Sequence, residues 1–250
     1  MSILVFLVLG LMVNAVTATG PATAQSPRFI DGGQSLALPP DKPVLFVTHG
    51  TAGYDFGSQA KKGIDRLVRV FKTQNWPVLY LNDCCHPKEY PPYMKDSKVT
   101  AEICSDDGNH NVTPVGRHIV LTGGNYDECA RRTFTNAVKN GFAYQIRHNQ
   151  AHPVLVVHYV LDALYSKWGN LKEELEKHGI DFNDPKSYLL ASQLLRQGFP
   201  WHDESYRTQL YYENLFLETT GSNNENSPLL IIRLTTSETL EKTVPLFWER

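Results

Sequence analysis

Cys129 is the residue in this sequence best suited to carry out chemistry. It lies shortly after the pair Gly123 and Gly124, in the first turns of a predicted helix. Amide groups and the dipole at a helix N-terminus favour a thiolate, and the same amides can stabilise an oxyanion formed by attack on a carbonyl group. We therefore predict that Cys129 is a nucleophile. Alternatively, Cys129 is a small buried residue that takes part in no reaction, as free cysteines often are.

Other polar or small residues are expected at the same edge of the sheet as this thiol. His49 follows one predicted strand and Asp83 follows another, and ligands of open parallel sheets bind at the carboxyl ends of the strands. A thiol needs a base or a lowered pKa to be a good nucleophile, so we predict His49 as that base. We predict that Asp83, Gly123, Gly124 and Asn125 bind the ligand. Alternatively, His49 has no chemical role and only belongs to a tight turn at the end of its strand.

These residues have to be positioned by alternating strands and helices. The apolar run Pro43–Thr48 predicts a buried strand, the helical spacing of apolar residues from Ser58 to Thr73 predicts an amphipathic helix, and Pro77–Leu81 predicts a second strand. A strand, a helix and a strand in this length form a βαβ unit with parallel strands. His118–Thr122 predicts a third strand. The helix after it should run from Asn125 to Asn140, capped by Asn125 with Glu128 and ended by Gly141.

The remaining segments are predicted from their composition and periodicity. A long polar loop is expected from Cys84 to Arg117, with one short strand around residues 99–103. Further strands are predicted at Phe142–Arg147, Val154–Val160 and Leu229–Leu234, and a helical pattern from Leu161 onward, with helices at Leu171–Lys177, Ser187–Arg196 and Arg207–Leu217. The fold class is therefore α/β, with a mostly parallel sheet and extra C-terminal helices in a single domain that covers residues 43–250.

The segment from Thr122 to Phe142 resembles the cysteine-bearing segment of the isochorismatase-like cysteine hydrolases. A strand that ends in a Thr-Gly turn is followed by Cys129, by Thr133, by Ala137 and by a Gly-aromatic pair. The resemblance covers roughly residues 43–160. It implies a three-layer, Rossmann-like α/β sandwich and a Cys, Asp, Lys triad that hydrolyses amide or related bonds, without a cofactor.

This sequence departs from the family pattern at two positions of the implied triad. Cys129 matches the nucleophile, but His49 occupies the place of the aspartate, and the lysine region is replaced by the long loop, in which Lys95 and Lys98 are the central candidates. Three functions stay open: a divergent cysteine hydrolase, a non-catalytic relative that binds a small ligand or a protein partner, and a thiol or metal-handling protein that uses the cluster from Cys84 to His86.

The first 42 residues predict export. An apolar run from Ile3 to Val16 is followed by Ala22-x-Ala24, which has the form of a signal-peptidase site, so residues 1–24 are predicted as a signal peptide and residues 25–42 as an extended lead-in. We expect a periplasmic or secreted protein without a stable membrane span after cleavage. In such a compartment Cys104 is expected to form a disulfide with Cys84 or Cys85.

Composition narrows the choice of partner. The chain has 250 residues, a formal net charge of -2 and scattered Lys and Arg residues, which argues against nucleic acid as a partner. The nine histidines lack the spacing of a zinc site, so no metal is predicted. The expected partner is an unidentified small molecule, and the family resemblance is compatible with a homo-oligomer.

Overall fold

The fold was analysed in a computed structural model of the full chain. The structure describes residues 28–40, 42–49, 57–82, 101–105, 107–198, 206–212, 215–219, 224 and 226–247. Five α-helices lie in these ranges: α1 (Gly57–Thr73), α2 (Cys129–Arg147), α3 (Leu171–Lys177), α4 (Tyr188–Gly198) and α5 (Ser237–Phe247).

The strands of the described ranges form one large sheet and one small one. They are β1 (Arg28–Asp31), β2 (Ser35–Ala37), β3 (Val44–Thr48), β4 (Val78–Asn82), β5 (Ala101–Cys104), β6 (Asn111–Thr113), β7 (His118–Gly124), β8 (Val154–Ser166), β9 (Gly169–Asn170), β10 (Arg207–Tyr212), β11 (Leu215–Thr219) and β12 (Leu229–Thr235). The large sheet has the order β1-β5-β4-β3-β7-β8-β12-β10-β11, with β9 paired to β8, and β2 pairs with β6. Only the β10–β11 and β8–β9 pairings among the described strands are antiparallel.

Helices cover both faces of the large sheet. In β3, the alternate residues Val44 and Phe46 pack in the same apolar cluster as α2, α3 and α4. Leu45 and Val47 point to the other face, where they pack with α1 and with Leu240 of α5. Every residue of β3 is buried, as expected for a strand covered on both faces. The predicted fold class is confirmed: a three-layer α/β sandwich with a mostly parallel sheet and additional C-terminal helices.

The first βαβ unit agrees with its prediction. Strand β3, helix α1 and strand β4 follow one another as expected, and β3 and β4 are parallel. The short strand expected near residues 99–103 corresponds to β5, which adds to β4 in parallel. The extended lead-in and the long loop also contain structure that was not predicted, since β2 and β6 pair with each other outside the large sheet.

The predicted strand Phe142–Arg147 is wrong because α2 continues through Gly141 to Arg147. Gly141 was expected to end the helix. Instead it faces Leu155 of β8, and a Cβ on Gly141 would lie 3.0 Å from a methyl carbon of that leucine. The glycine therefore provides close packing of the helix on the sheet and is not a helix terminator.

Two predicted helical segments are also wrong. Residues after Leu161 continue β8 as far as Ser166, and Leu164 and Tyr165 of this mostly buried extension pair with the end of β7. The predicted helix Arg207–Leu217 is the hairpin of β10 and β11. The residues of β10 alternate between buried and half-buried positions, a period of two that the spacing of the tyrosines had obscured.

Among the described residues, no helix has the length and apolar character required to cross a membrane. Residues 1–27, which include the predicted signal peptide, lie outside the described ranges.

Candidate functional site

The order of the strands defines where a ligand site is expected. From β3 the chain passes through α1 to β4 on one side, and from β7 it passes through α2 to β8 on the other side. The helices α1 and α2 lie on opposite faces of the sheet. The carboxyl ends of β3 and β7 therefore form a topological switch point, which is where open α/β sheets bind their ligands. His49 follows β3, and Gly123 and Gly124 end β7, so these three of the predicted residues lie at this switch point.

The two glycines let three strand ends approach one another closely. Gly123 has φ +95°, and a Cβ there would lie 1.9 Å from the carbonyl oxygen of Thr48. Gly124 lies under the ring of Tyr165, with which a Cβ would collide at 2.4 Å. The Tyr165 hydroxyl donates to the carbonyl of His49, so this tyrosine ties β8 to the exit of β3. The sequence prediction missed Tyr165 because the end of β8 was interpreted as a helix.

His49 is held in one orientation by its backbone and by its ring. The residue is buried, with φ 45°, and its amide donates to the carbonyl of Leu81 at 2.8 Å. Its ring Nε2 lies 2.9 Å from the carbonyl oxygen of Ser105. A carbonyl only accepts, so Nε2 carries the proton in this bond, and in the neutral imidazole the lone pair is at Nδ1. A base at this position would therefore act through Nδ1.

Cys129 begins α2 and has a free thiol that is 9% exposed. Burial raises the pKa of this thiol above its usual value. A backbone hydrogen bond with Asn125 and the charge of Arg132 lower the pKa, whereas Glu128 and Asp107 raise it. Burial therefore outweighs these two lowering effects and opposes the thiolate that a helix N-terminus favours. Within the described residues, no hydrogen bond joins this thiol to the His49 ring.

The start of α2 differs from the capping pattern that the sequence predicts. The helix begins at Cys129, not at Asn125, and its N-cap residue Glu128 makes no side-chain capping bond. The Asn125 carbonyl instead accepts from the amides of Glu128 and Ala130, both at 3.0 Å. Asn125 therefore forms a turn that leads into the helix and fixes the position of the thiol. The peptide bond between Gly124 and Asn125 is cis.

A short polar segment, residues 107–110, packs against the first turns of α2. The carbonyl of Cys129 lies 3.0 Å from the hydroxyl of Thr133, and the carbonyl of Gly108 lies 3.2 Å from it. The Thr133 hydroxyl also accepts from Thr48 at 3.0 Å, which connects α2 to β3. His110 donates from Nε2 to the carbonyl of Thr133 at 3.1 Å. The sequence prediction missed His110 and Ser105, because polar loop residues carry no periodic signal.

The remaining predictions for this region fall partly outside the described residues. Asp83, Cys84 and Cys85, as well as the cluster that ends at His86, lie there, and their proposed roles stay predictions. Cys104 is disulfide-bonded. No group of three or more His, Cys, Asp or Glu side chains in the described part of the chain is arranged to hold a metal ion.

Comparisons with known proteins add little to this geometry. No protein-family model matches the sequence, and none of the curated proteins matches it. A solved structure titled MAR1 ribonuclease from Caenorhabditis elegans is similar over 65% of this chain and 77% of that protein, with 13% sequence identity and a TM-score of 0.40. A likeness at this level transfers no function to the chain.

Proposed function

We propose that this protein is an exported, divergent relative of the isochorismatase-like cysteine hydrolases that attacks an amide or related bond of a small molecule with Cys129. The observation that carries the proposal is the position of Cys129 in the first turn of α2, at the same switch point of the sheet as His49. Ligand sites of this fold class lie at that point, and the amides at a helix N-terminus can stabilise an oxyanion.

The proposed base is Nδ1 of His49. A nucleophile and a base that is oriented by a third group form a common catalytic arrangement, and here the third group is the Ser105 carbonyl, which accepts from Nε2 at 2.9 Å. In the proposed reaction the imidazole takes the thiol proton as sulfur attacks the carbonyl carbon. The oxyanion is stabilised by amides of the first turn of α2, the leaving amine receives the proton, and water then hydrolyses the thioester.

The raised pKa of Cys129 determines when the thiol must lose its proton in the proposed mechanism. The resting site holds a neutral Cys129 thiol, because burial opposes the thiolate. The proton must therefore move as the substrate is attacked, with the substrate in place. Such an enzyme depends on its base in every turnover, so both residues are required for activity.

The test uses turnover of a panel of chromogenic p-nitroanilides and p-nitrophenyl esters by the full chain. For any substrate that is turned over, Cys129→Ala should abolish the activity and His49→Gln should lower kcat by about 100-fold or more. His148→Gln, which changes an exposed histidine after α2, is the matched control and should leave kcat unchanged. Full activity of the Cys129→Ala protein would rule out the proposed nucleophile.

A second candidate function is a non-catalytic relative that binds a small ligand or a protein partner at the same switch point. The observation that favours it is that burial and the nearby carboxylates of Glu128 and Asp107 all raise the pKa of the Cys129 thiol. Alkylation by iodoacetamide, followed by mass spectrometry, separates the two candidates. A hydrolase should be modified faster in the parent than in the His49→Gln protein at neutral pH, whereas a binder should be modified slowly and equally in both.

The export proposal is supported by the disulfide at Cys104, since structural disulfides persist mainly outside the cytosol. The apolar run Ile3–Val16 and the small residues Ala22 and Ala24 agree with it. Expression with the complete N-terminus, followed by N-terminal sequencing of exported protein, should give Gln25 as the first residue. Retention of an intact N-terminus inside the cell would contradict export.

A further inference from the structure

The disulfide at Cys104 lies directly beside the group that orients the His49 ring. Cys104 is disulfide-bonded and is the last residue of β5. The next residue is the buried Ser105, whose carbonyl accepts from Nε2 of His49 at 2.9 Å. In the sheet, β4 lies between β3, which leads to His49, and β5, which leads to Ser105. The ring of His49 therefore connects the ends of two strands that are not neighbours.

The cysteine content of the chain restricts the other end of this disulfide. Cys129 has a free thiol, so the partner of Cys104 within the chain is Cys84 or Cys85. Both of these cysteines follow shortly after Asn82, the last residue of β4. With either partner, the disulfide joins the end of β5 to the chain that leaves β4. It therefore acts on the same strand ends that the His49 ring connects by a hydrogen bond.

Backbone hydrogen bonds link these strand ends to one another. The His49 amide donates to the carbonyl of Leu81 at 2.8 Å, and the Ser105 amide donates to the carbonyl of Asn82 at 2.9 Å. Cys104 is paired with Asn82 in the register of β4 and β5. With the bond of the ring, these contacts form a closed path from β3 through β4 and β5 back to His49. A displacement of Ser105 would therefore take away the acceptor of the ring.

We propose that the Cys104 disulfide positions His49, because it holds the Ser105 carbonyl where that carbonyl accepts from Nε2. A fixed acceptor keeps the proton of the neutral imidazole on Nε2 and the lone pair on Nδ1. Once the disulfide is broken, the end of β5 can separate from β4 by opening hydrogen bonds, which open most readily at the ends of elements. The consequence for catalysis rests on the proposed function, in which Nδ1 takes the thiol proton, whereas the orientation of the ring does not.

The test records ring ¹⁵N–¹H correlations of the histidines in the full chain at pH 8, where an unperturbed imidazole is neutral. The His49 signals are assigned by their absence from His49→Ala. The parent protein should show one tautomer, with the proton on Nε2. Cys104→Ser, and the parent protein reduced with dithiothreitol, should show mixed tautomers and faster exchange of that proton with water.

Two controls separate this effect from a general loss of stability. His118 begins β7, at the opposite end of that strand from the switch point, and its ring signals should be the same with and without the disulfide. Cys129→Ala leaves the disulfide intact and should keep the His49 signals of the parent protein.

The reciprocal effect keeps the proposal falsifiable if Cys104→Ser does not fold. If the disulfide favours the bond between the ring and the Ser105 carbonyl, this bond favours the disulfide by the same factor. His49→Ala removes the ring, so its disulfide should be reduced at an about 5-fold lower ratio of reduced to oxidised dithiothreitol, as expected for the loss of one buried hydrogen bond. His148→Gln, which changes an exposed histidine, should be reduced like the parent protein. Iodoacetamide trapping and mass spectrometry measure the reduced fraction.

The proposal is overturned if the His49 signals are the same with and without the disulfide, or if the parent and His49→Ala proteins are reduced equally. For a substrate that is turned over, Cys104→Ser should also lower kcat by about 10-fold with little change in KM. An unchanged kcat would contradict the positioning role. The ring signals and the reduction of the disulfide do not require turnover, so failure of this proposal is distinguishable from failure of the hydrolase proposal.

Discussion

At the scale of single residues, His110 shows how packing fixes the charge of an imidazole. The ring is 3% exposed and stacks on Phe46, with 5.0 Å between the ring centres. Its Nδ1 accepts from the amide of Val112 at 3.2 Å, and its Nε2 donates to the carbonyl of Thr133 at 3.1 Å. Both nitrogens are therefore satisfied in the neutral tautomer. Burial lowers the pKa to about 4, although the bond to Thr133 raises it slightly.

The buried His110 makes the free energy of unfolding depend on pH. The pKa falls from 6.5 in the unfolded chain to about 4 in the fold, so between these values the unfolded state binds more protons. Stability is therefore fully present above pH 6.5 and is lost as the pH falls toward 4. The loss from this one group should reach roughly 3 kcal/mol. Urea unfolding at pH 7, 5.5 and 4.5 measures the decline.

The matched comparison for this prediction is between two histidine variants. His110→Gln removes the titrating group and should flatten the decline, while His118 continues to contribute because its pKa is also lowered. His148→Gln changes a histidine outside the core and should leave the decline unchanged. An equal slope for the parent protein and the His110→Gln protein would contradict the assignment.

Residue types and their spacing identify some residues of the switch point, but not the residues that hold them in position. Cys129 and His49 could be chosen from the sequence because each follows a strand with a recognisable apolar pattern. The residues that hold them in position come from distant parts of the chain. Tyr165 reaches His49 from the end of β8, and Ser105 reaches its ring from the segment after β5. Such contacts depend on tertiary structure, which local periodicity does not encode. For the same reason the sequence could not predict that burial would raise the pKa of Cys129.

At the scale of elements, the junction of β3 and β7 depends on a glycine. Gly123 combines φ +95° with an approach to the Thr48 carbonyl that would leave 1.9 Å for a Cβ. Gly123→Ala should therefore lower the free energy of unfolding by more than about 3 kcal/mol, since both strain and a backbone clash oppose it. Gly179→Ala is the control: this glycine has φ +82°, but nothing lies within 4 Å of its Cβ position. Its loss should be near 1 kcal/mol.

Chemical unfolding of the two alanine variants provides the measurement. The difference between them isolates the backbone clash from the conformational preference of glycine, because both positions have positive φ. Similar losses for the two variants would show that β3 and β7 can separate at their ends without disturbing the rest of the sheet.

Strands that are buried on both faces could be predicted from the sequence. Elements whose sequence pattern fits more than one type of secondary structure could not. Strands β3, β4 and β7 are short, apolar runs bounded by polar or turn residues, and they were predicted correctly. The C-terminal part of α2 was predicted as a strand because Gly141 resembles a helix terminator, although its contact with Leu155 explains it by packing. Helix α5 was not predicted. Its N-terminus depends on Asp162, which accepts from the Ser237 amide at 2.7 Å and lies far away in sequence.

At the scale of the whole molecule, the disulfide at Cys104 should stabilise the fold against unfolding. Cys104 is the last residue of β5, a strand that lies between β1 and β4 in the sheet. If Cys84 or Cys85 is the partner, the closed loop has about 20 residues and its closure contributes roughly 3 kcal/mol. Cys104→Ser should lower the free energy of unfolding by about this amount, measured in urea. Cys129→Ala, which changes the free thiol, leaves the disulfide intact and is the matched control.

Peptide mapping under non-reducing conditions identifies the partner of Cys104 in the same material. Addition of a reductant to the parent protein should reproduce the lower stability of Cys104→Ser and should have no further effect on that variant. A parent protein equally stable with and without reductant would contradict a stabilising role for the bond.

Strand β12 is the last strand of the sheet along the described chain, but it lies between β8 and β10 in space. The hairpin of β10 and β11 is synthesised earlier, yet in the large sheet it pairs with the other strands only through β12. Until residues Leu229–Thr235 emerge from the ribosome, β8 has an open edge and the hairpin has nowhere to attach. Completion of the sheet therefore depends on β12, the strand that joins β8 to the hairpin.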